Sequence, residues 1–253
     1  MWNIQTFSEL ESTQTLARDQ LARSRAKHGD VFIALHQTGG KGRYSDRLWH
    51  DEAGANLLMS VVLQEVPKHL QDKMQFVVAL ADLQAIRKLL LQIAPSFNID
   101  RVKLKWTNDI LIDKMKVSGI LSEAIWSGPE LKGVVLGIGI NVNQRSFPAD
   151  VASLAMSLSS VIHQTISLDA VRDMLLSELE LALREYTTSG KLISALRTEL
   201  EWMRSIESFS LLEPGGTKAE GLRYEGIGDS GELRVIAADS TIRTYQNATL
   251  NLL

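Results

Sequence analysis

The segment KGVVLGIGINVN at residues 132–143 is the part of this sequence that most limits the possible folds. Its run of β-branched and aliphatic residues predicts a central strand of a sheet. Gly137 and Gly139 alternate within the run, so both lie on the same face of that strand. That face lacks side chains at these two positions, and another chemical group can approach the backbone closely there.

Other segments have the apolar spacing of helices. Residues 68–93 predict a long helix, and residues 12–27 predict a shorter one with Ser12 or Thr13 as its N-cap. Two amphipathic helices are expected from about residue 168 onward. The chain therefore combines several helices with the central strand.

Short apolar runs predict the remaining strands of the main sheet. They lie at residues 31–35, 55–63 and 102–106. Residues 110–112 and 116–126 are expected to form the two arms of a hairpin that turns at Asp113 and Lys114. After Glu207, glycines separate several short strand-like runs, which is typical of a small all-β module. We therefore predict an α+β fold with a mixed or antiparallel sheet flanked by helices, followed by a β module.

Composition excludes several classes of chemistry. The chain has 253 residues, a formal net charge of −3 and no cysteine, so disulfides, thiolate metal sites and a cysteine nucleophile are ruled out. The net charge provides no overall attraction to nucleic acid or to anionic lipid. The N-terminal residues lack the pattern of a signal peptide, and no apolar run approaches the roughly 20 residues of a membrane span. A cytoplasmic protein is expected.

The segment HQTGGKGRYSDRLW at residues 36–49 brings glycines and cations together directly after a predicted strand. Its residues of interest are Gly39, Gly40, Gly42, Lys41, Arg43 and Arg47. Such a loop can turn backbone N–H groups and cations toward a carboxylate or a phosphate. Its spacing matches neither the Walker loop nor the dinucleotide fingerprint. A solvated turn and an anion clamp are both compatible with this composition.

The segment KWTNDIL, with Lys116 beyond it, is a second candidate for anion binding. Lys105 and Lys116 can bracket a polyphosphate across the hairpin, and Asp109 can hold a metal ion that accompanies a nucleotide. A plain hairpin with surface charges is the alternative. The five histidines have no metal-ligand spacing, and we predict no resident metal site.

Four motifs occur in one order along the chain: ESTQ at 11–14, QTGGKGR with a later tryptophan at 37–49, KWTND followed by K, GIL and E at 105–123, and GIGINVN at 137–143. In this combination the sequence resembles the biotin protein ligases over nearly its whole length. The resemblance implies a class II synthetase-like catalytic domain at residues 1–206 and an SH3-like β-barrel at residues 207–253. It also implies the monofunctional class without an N-terminal DNA-binding domain.

The resemblance implies a two-step reaction. Biotin and ATP, with Mg²⁺, would give biotinyl-5′-AMP, and the biotinyl group would then pass to a specific lysine of a biotin carboxyl carrier protein domain. No DNA or membrane partner is expected. The protein would act as a monomer or a homodimer.

Site residues are implied by position in the matched motifs. The catalytic cations would be Arg43 and Lys116. The residues implied for biotin binding are Ser12, Thr13, Gln14, Gln37, Lys41, Gly42, Arg43, Lys116 and Gly119. The residues implied for ATP binding are Trp49, Lys105, Asn108, Asp109, Lys116 and Asn141.

The sequence also departs from the usual pattern of these ligases. Lys41 stands where the first arginine of the loop is usual, and Tyr44-Ser45-Asp46 replaces its next glycine. Gln14 stands where asparagine is commonest. Since an arginine fork makes bidentate contacts that a lysine does not, we expect loop closure and affinity to be altered.

Two other functions are compatible with these residues. One is a lipoate-type protein ligase of the same fold, and the other is a catalytically degenerate biotin-binding protein. An octanoyl transferase is excluded because it needs a cysteine, which the chain lacks. A DNA-binding regulator is disfavoured because the chain lacks a basic stripe and a recognition helix.

Overall fold

The computed structural model describes residues 1–42 and 48–252. Its larger sheet has seven strands, β1 (Asn3–Phe7), β2 (Asp30–Ala34), β3 (Leu57–Leu63), β4 (Val102–Lys105), β5 (Asp109–Ile112), β6 (Met115–Ser127) and β7 (Glu130–Ile140). The spatial order is β1-β2-β3-β7-β6-β5-β4, with β1 parallel to β2 and the other pairs antiparallel. The segment at 132–143 thus supplies the middle strand, which confirms the prediction.

Helices cover both faces of this sheet. They are α1 (Thr13–Ala22), α2 (Met74–Ile93), α3 (Leu158–Ile162), α4 (Leu168–Ser189) and α5 (Leu192–Leu200). On one face α1 buries Ala17 and Leu21 against Phe32 and Val135. On the other face α2, apolar almost all round, packs between the sheet and α4. Because successive strand residues point to opposite faces, Val134 and Val135 enter different cores.

Two helix predictions need correction. The helix expected at 12–27 ends at Ala22, because Ser24 and Arg25 turn back to Leu21 O and Gln20 O and no buried apolar residue follows until Ala26. Ser24 adopts a left-handed φ of 55°. The helix expected at 68–93 is divided into a short 3-10 turn at Lys68–Leu70 and α2, which begins at Met74.

The hairpin prediction is confirmed in detail. Asp113 and Lys114 join β5 to β6 and have φ values of 50° and 68°. Positive φ at both central residues gives the tight turn that matches the twist of paired strands. This turn sets the register that brings Lys116 opposite Leu111.

The C-terminal strands form a separate antiparallel sheet, as predicted. They are β8 (Phe209–Leu212), β9 (Lys218–Ile227), β10 (Leu233–Ile236), β11 (Ile242–Tyr245) and β12 (Thr249–Leu252), in the order β11-β10-β9-β8-β12. This module adjoins the larger sheet directly, since Trp106 Nε1 donates a hydrogen bond to Gly231 O over 3.0 Å. The division into residues 1–206 and 207–253 stays a prediction. Among the helices of the described residues, none has the length and apolarity needed to cross a membrane.

Candidate functional site

Three glycines on the two central strands form a bare surface, which we call the glycine floor: Gly119, Gly137 and Gly139. Gly119 of β6 pairs directly with Gly139 of β7. A Cβ added at Gly139 would lie 2.8 Å from ring carbons of Trp49, and one at Gly137 would lie 2.5 Å from Gln14 Oε1. The predicted close approach to the bare face of β7 is therefore confirmed. The approaching groups are two side chains of the protein itself, those of Trp49 and Gln14.

A buried carboxylate holds two lysines beside this floor. Asp109 Oδ2 lies 2.8 Å from Lys105 Nζ, and Asp109 Oδ1 lies 2.7 Å from Lys116 Nζ. Burial raises the pKa of Asp109, but the attraction of both lysines and their hydrogen bonds outweigh it and hold that pKa well below its usual range. Asp109 is consequently ionised at neutral pH, and the two ammonium groups are fixed in place.

Lys116 lies between this carboxylate and the floor. Its Nζ is 5.5 Å from the centre of the Trp49 ring, and a Cβ on Gly119 would lie 2.7 Å from that same atom. A residue with a side chain at position 119 would therefore displace the lysine. The hypothesis that Asp109 holds a metal ion is not supported, because each of its two carboxylate oxygens contacts a lysine. Within residues 1–42 and 48–252, no three His, Cys, Asp or Glu side chains cluster as metal ligands would.

A neutral polar network lies at the start of α1. Ser12 caps the helix, and Thr13 N donates to Gln37 Oε1 over 2.7 Å. Thr13 Oγ1 lies 2.9 Å from Ser60 Oγ, and Ser60 Oγ donates to Gln14 Oε1 over 3.1 Å. Apart from Gln37, these side chains are all buried. Four of the nine residues that the motifs assigned to biotin, Ser12, Thr13, Gln14 and Gln37, thus lie together.

Sequence reasoning assigned no role to Ser60, a member of this network, or to Glu123, the carboxylate at its edge. Gln14 Nε2 donates to Glu123 Oε2 over 2.7 Å. A signal for Ser60 was available, because it is the one polar residue in the apolar strand LLMSVVL. Glu123 follows the GIL triplet of β6, but its direction toward α1 depends on how that helix packs.

Two asparagines hold the backbone around Lys116. Asn108 Nδ2 donates to Ile120 O over 2.6 Å, and Asn141 Nδ2 donates to Lys116 O over 3.4 Å. The main chain of Asn141 also donates to Val117 O. Both residues therefore stabilise the part of β6 that carries Lys116 and Gly119.

The glycine-rich segment borders a cavity of about 780 Å³. Gln37, Gly39, Gly40 and Trp49 are among its lining residues, and Trp49 N donates to Gly40 O over 2.9 Å. Lys41 is exposed and pairs with Leu48 through an isolated β-bridge. Arg43 and the Tyr44-Ser45-Asp46 departure lie outside the described residues.

Comparison with known proteins identifies the family. The model of the biotin/lipoate A/B protein ligase family matches residues 7–141, which is more than half of the chain. The chain belongs to this family. It is 35% identical over 184 residues to the bifunctional ligase/repressor BirA of Bacillus spizizenii, covering 72% of this chain and 54% of that protein. The chain thus spans about half the length of the first curated relatives that it matches.

Two further ligases extend the comparison. The biotin–[acetyl-CoA-carboxylase] ligase of Mycobacterium tuberculosis is 30% identical over 230 residues, covering 88% of this chain and 80% of that protein. The biotin protein ligase of Aquifex aeolicus, solved in complex with biotin and ATP, matches all of both chains with a TM-score of 0.79 and 22% identity. At that identity the structural likeness establishes the fold.

Most of the residues assigned from the family motifs fall into two groups. Ser12, Thr13, Gln14 and Gln37 form the neutral network, whereas Trp49, Lys105, Asp109, Lys116 and Gly119 form a charged cluster at the floor. Asn108 and Asn141 support the charged cluster from behind. Among the described residues, no side-chain hydrogen bond or ion pair joins Lys41 to either group, and Gly42 follows it directly in the chain. The roles assigned to all these residues stay predictions.

Proposed function

We propose that the protein activates biotin with ATP to biotinyl-5′-AMP and transfers the biotinyl group to a lysine of a biotin carboxyl carrier protein domain. The observation that carries this proposal is the position of Lys116. Its ammonium group lies against the glycine floor at Gly119 and 2.7 Å from the Asp109 carboxylate, and the neutral polar network meets the same floor through Gln14 at Gly137. Family membership and the activities named for the relatives support the same reaction.

The first step must bring two anions together. The biotin carboxylate attacks the α-phosphate of ATP, a new C–O–P linkage forms, and pyrophosphate leaves. Lys116 would neutralise charge on both reacting groups, with Arg43 as the second cation. Mg²⁺ would accompany ATP on its phosphates and would neutralise further charge there; Asp109 would not hold it, because both Asp109 oxygens are engaged by lysines.

Asp109 would act on the cations and not on the substrate. As an ionised carboxylate it pairs with Lys105 and Lys116 and directs both ammonium groups to the same edge of β5. Such prior orientation lowers the cost of arranging charges during the reaction. Trp49, Lys105, Asn108 and Asn141 would complete the ATP side of the site.

The neutral network suits the other end of biotin. Its ring carries a cyclic urea with two N–H groups and one carbonyl, all of which need partners when buried. Ser12, Thr13, Gln14 and Gln37 supply hydroxyl and amide groups at the end of the floor away from the lysines. Lys41, Gly42 and Arg43 would close over the carboxylate.

In the second step an acceptor lysine amine attacks the carbonyl of the mixed anhydride, an amide forms, and AMP leaves. The acceptor is a carrier domain, and we propose that the enzyme works in the cytoplasm without a DNA or membrane partner, as a monomer or a homodimer. Residues 1–206 would form the catalytic domain, with the β module at 207–253.

Biotin-dependent exchange of pyrophosphate into ATP tests the first step directly. We expect exchange with biotin and none with lipoate, and Lys116→Gln should lower the exchange rate about 100-fold or more. Lys114→Gln, two residues away in the exposed part of the turn, is the matched control and should stay within twofold. Exchange with lipoate alone would favour a lipoate-type ligase. Biotin binding without any exchange would favour a degenerate biotin-binding protein.

A further inference from the structure

A chain of hydrogen bonds connects the surface carboxylate of Glu123 with Gln37. Glu123 Oε2 accepts from Gln14 Nε2 over 2.7 Å, and Glu123 Oε1 lies 3.6 Å from Arg18 Nη1. From Gln14 the contacts run through the hydroxyls of Ser60 and Thr13. The two glutamines and two hydroxyl groups carry both donors and acceptors, so the direction of each bond depends on its neighbours.

The amide of Gln14 has only one orientation that satisfies its surroundings. The partners on one side are the Glu123 carboxylate and Val135 O, which accept hydrogen bonds and cannot donate them. The amide nitrogen must therefore lie on that side, and the amide oxygen must face Ser60. The missing side chain at Gly137 leaves room for this arrangement, because a Cβ there would lie 2.5 Å from Gln14 Oε1.

Counting protons then fixes the state of Thr13. Ser60 uses its single hydroxyl proton to donate to Gln14 Oε1 over 3.1 Å. Thr13 has one proton for two acceptors, Ser60 Oγ at 2.9 Å and Gln37 Oε1 at 3.1 Å. Whether the Thr13 proton is donated to Ser60 or to Gln37, Thr13 Oγ1 accepts no hydrogen bond from either residue. This oxygen keeps its acceptor capacity for a ligand.

Reversal of the Gln14 amide would have the opposite effect. Gln14 would donate to Ser60, the Ser60 proton would be released, and Ser60 would donate to Thr13 Oγ1. One of the two acceptor lone pairs of that oxygen would then be occupied inside the protein, and the Thr13 proton could go only to Gln37 Oε1. We propose that Glu123 is a positioning residue whose negative charge prevents this reversal and so keeps Thr13 Oγ1 open to an N–H group of the ligand.

This inference rests on the proposed function, because the cyclic urea of biotin supplies N–H donors of the required kind. It adds a residue that acts through Gln14 and Ser60 without touching the ligand. The negative charge is the essential property, since a neutral glutamine at position 123 can present either an oxygen or a nitrogen to Gln14.

The test compares equilibrium biotin binding by calorimetry in four proteins: wild type, Glu123→Gln, Thr13→Val and the double variant. We expect Glu123→Gln to weaken biotin binding about tenfold, as for loss of a hydrogen bond to a charged group. Thr13→Val should weaken it at least as much. The double variant should match Thr13→Val within twofold, because Glu123 acts through the oxygen that valine lacks.

Two controls separate this role from a general structural one. In pyrophosphate exchange, Glu123→Gln should raise KM for biotin about tenfold but leave kcat and KM for ATP within twofold. Arg18→Gln removes the 3.6 Å partner of Glu123 yet keeps the carboxylate, and should bind biotin within twofold of wild type. Thermal unfolding verifies that each variant is folded.

The possible failures are distinguishable. If wild type binds no biotin, the proposed function is wrong. If wild type binds biotin and Glu123→Gln binds it equally well, the positioning role is wrong and the ligase proposal stands. Additive losses in the double variant would also overturn the role, since they would mean that Glu123 does not act through Thr13.

Discussion

The indole of Trp49 covers Gly139. A Cβ at position 139 would lie 2.8 Å from ring carbons Cε2 and Cζ2, and one at Gly119 would lie 3.1 Å from Cζ3. The glycine floor is thus covered by a side chain of the protein itself, and a ligand that uses the floor must move the indole. Within the described part of the chain, Trp49 Nε1 is buried without a hydrogen-bond partner.

The first prediction concerns the floor itself. Gly139→Ala should reduce pyrophosphate exchange about 100-fold, because its methyl group would occupy the surface that Trp49 or a ligand needs. Gly226→Ala is a suitable control, since a Cβ there meets no atom within 4 Å and should leave the rate unchanged. Exchange rates at saturating substrates measure both. Full activity of Gly139→Ala would contradict a functional floor.

The second prediction separates the two ligands. Trp49→Ala should bind biotin in the absence of ATP a few-fold more tightly, because biotin no longer has to displace the indole. KM for ATP should rise, since the aromatic surface proposed for adenine is lost. Trp126→Ala, whose side chain is 54% exposed, should change neither value. Calorimetry and exchange kinetics give the two quantities, and weaker biotin binding by Trp49→Ala would refute the prediction.

The third prediction concerns the charged cluster. The pKa of Asp109 is depressed in the folded protein, so its ion pairs stabilise the fold above the unfolded pKa and this contribution disappears as the pH falls through the folded pKa. Asp109→Asn should therefore lower the free energy of unfolding at pH 7 by about 2 kcal/mol. The difference from wild type should shrink as the solution is acidified below about pH 4. Urea unfolding across this range measures it, and a difference independent of pH would be inconsistent with the ion pairs.

The fourth prediction concerns Asp82, which is fully buried in α2 and accepts a hydrogen bond from Ser118. Burial raises the pKa of Asp82 from 3.8 to about 7, and the Ser118 hydrogen bond only partly opposes the rise. The neutral acid therefore predominates in the folded protein below about pH 7. As pH rises between these values the unfolded state ionises first, so stability falls by up to about 1.4 kcal/mol per pH unit.

Asp82→Asn tests this directly, because asparagine has the shape of the neutral acid but does not ionise. Its free energy of unfolding should be close to that of wild type near pH 4 and should exceed it increasingly up to about pH 7. Urea unfolding at several pH values gives both curves. Parallel curves would rule out a proton on Asp82.

Local sequence patterns determined the elements and the chemical type of the site. Alternating glycines in an apolar run indicated the central strand, and Asp113-Lys114 indicated the tight turn, because both signals depend on residues close in the chain. The motif residues that carry Lys105, Asp109 and Lys116 were recognisable for the same reason. The end of α1 was not, since it depends on where the sheet stops offering an apolar surface.

Tertiary packing decided how those residues act on one another. Gln14 and Glu123 are far apart in sequence, and only the packing of α1 on β6 and β7 brings their side chains within 2.7 Å. The same holds for Trp49 on Gly139 and for the hydroxyls of Thr13 and Ser60. Periodicity assigns a residue to a face of one element. Which group it meets across that face depends on the angle and separation of two elements, and these are set by the whole core.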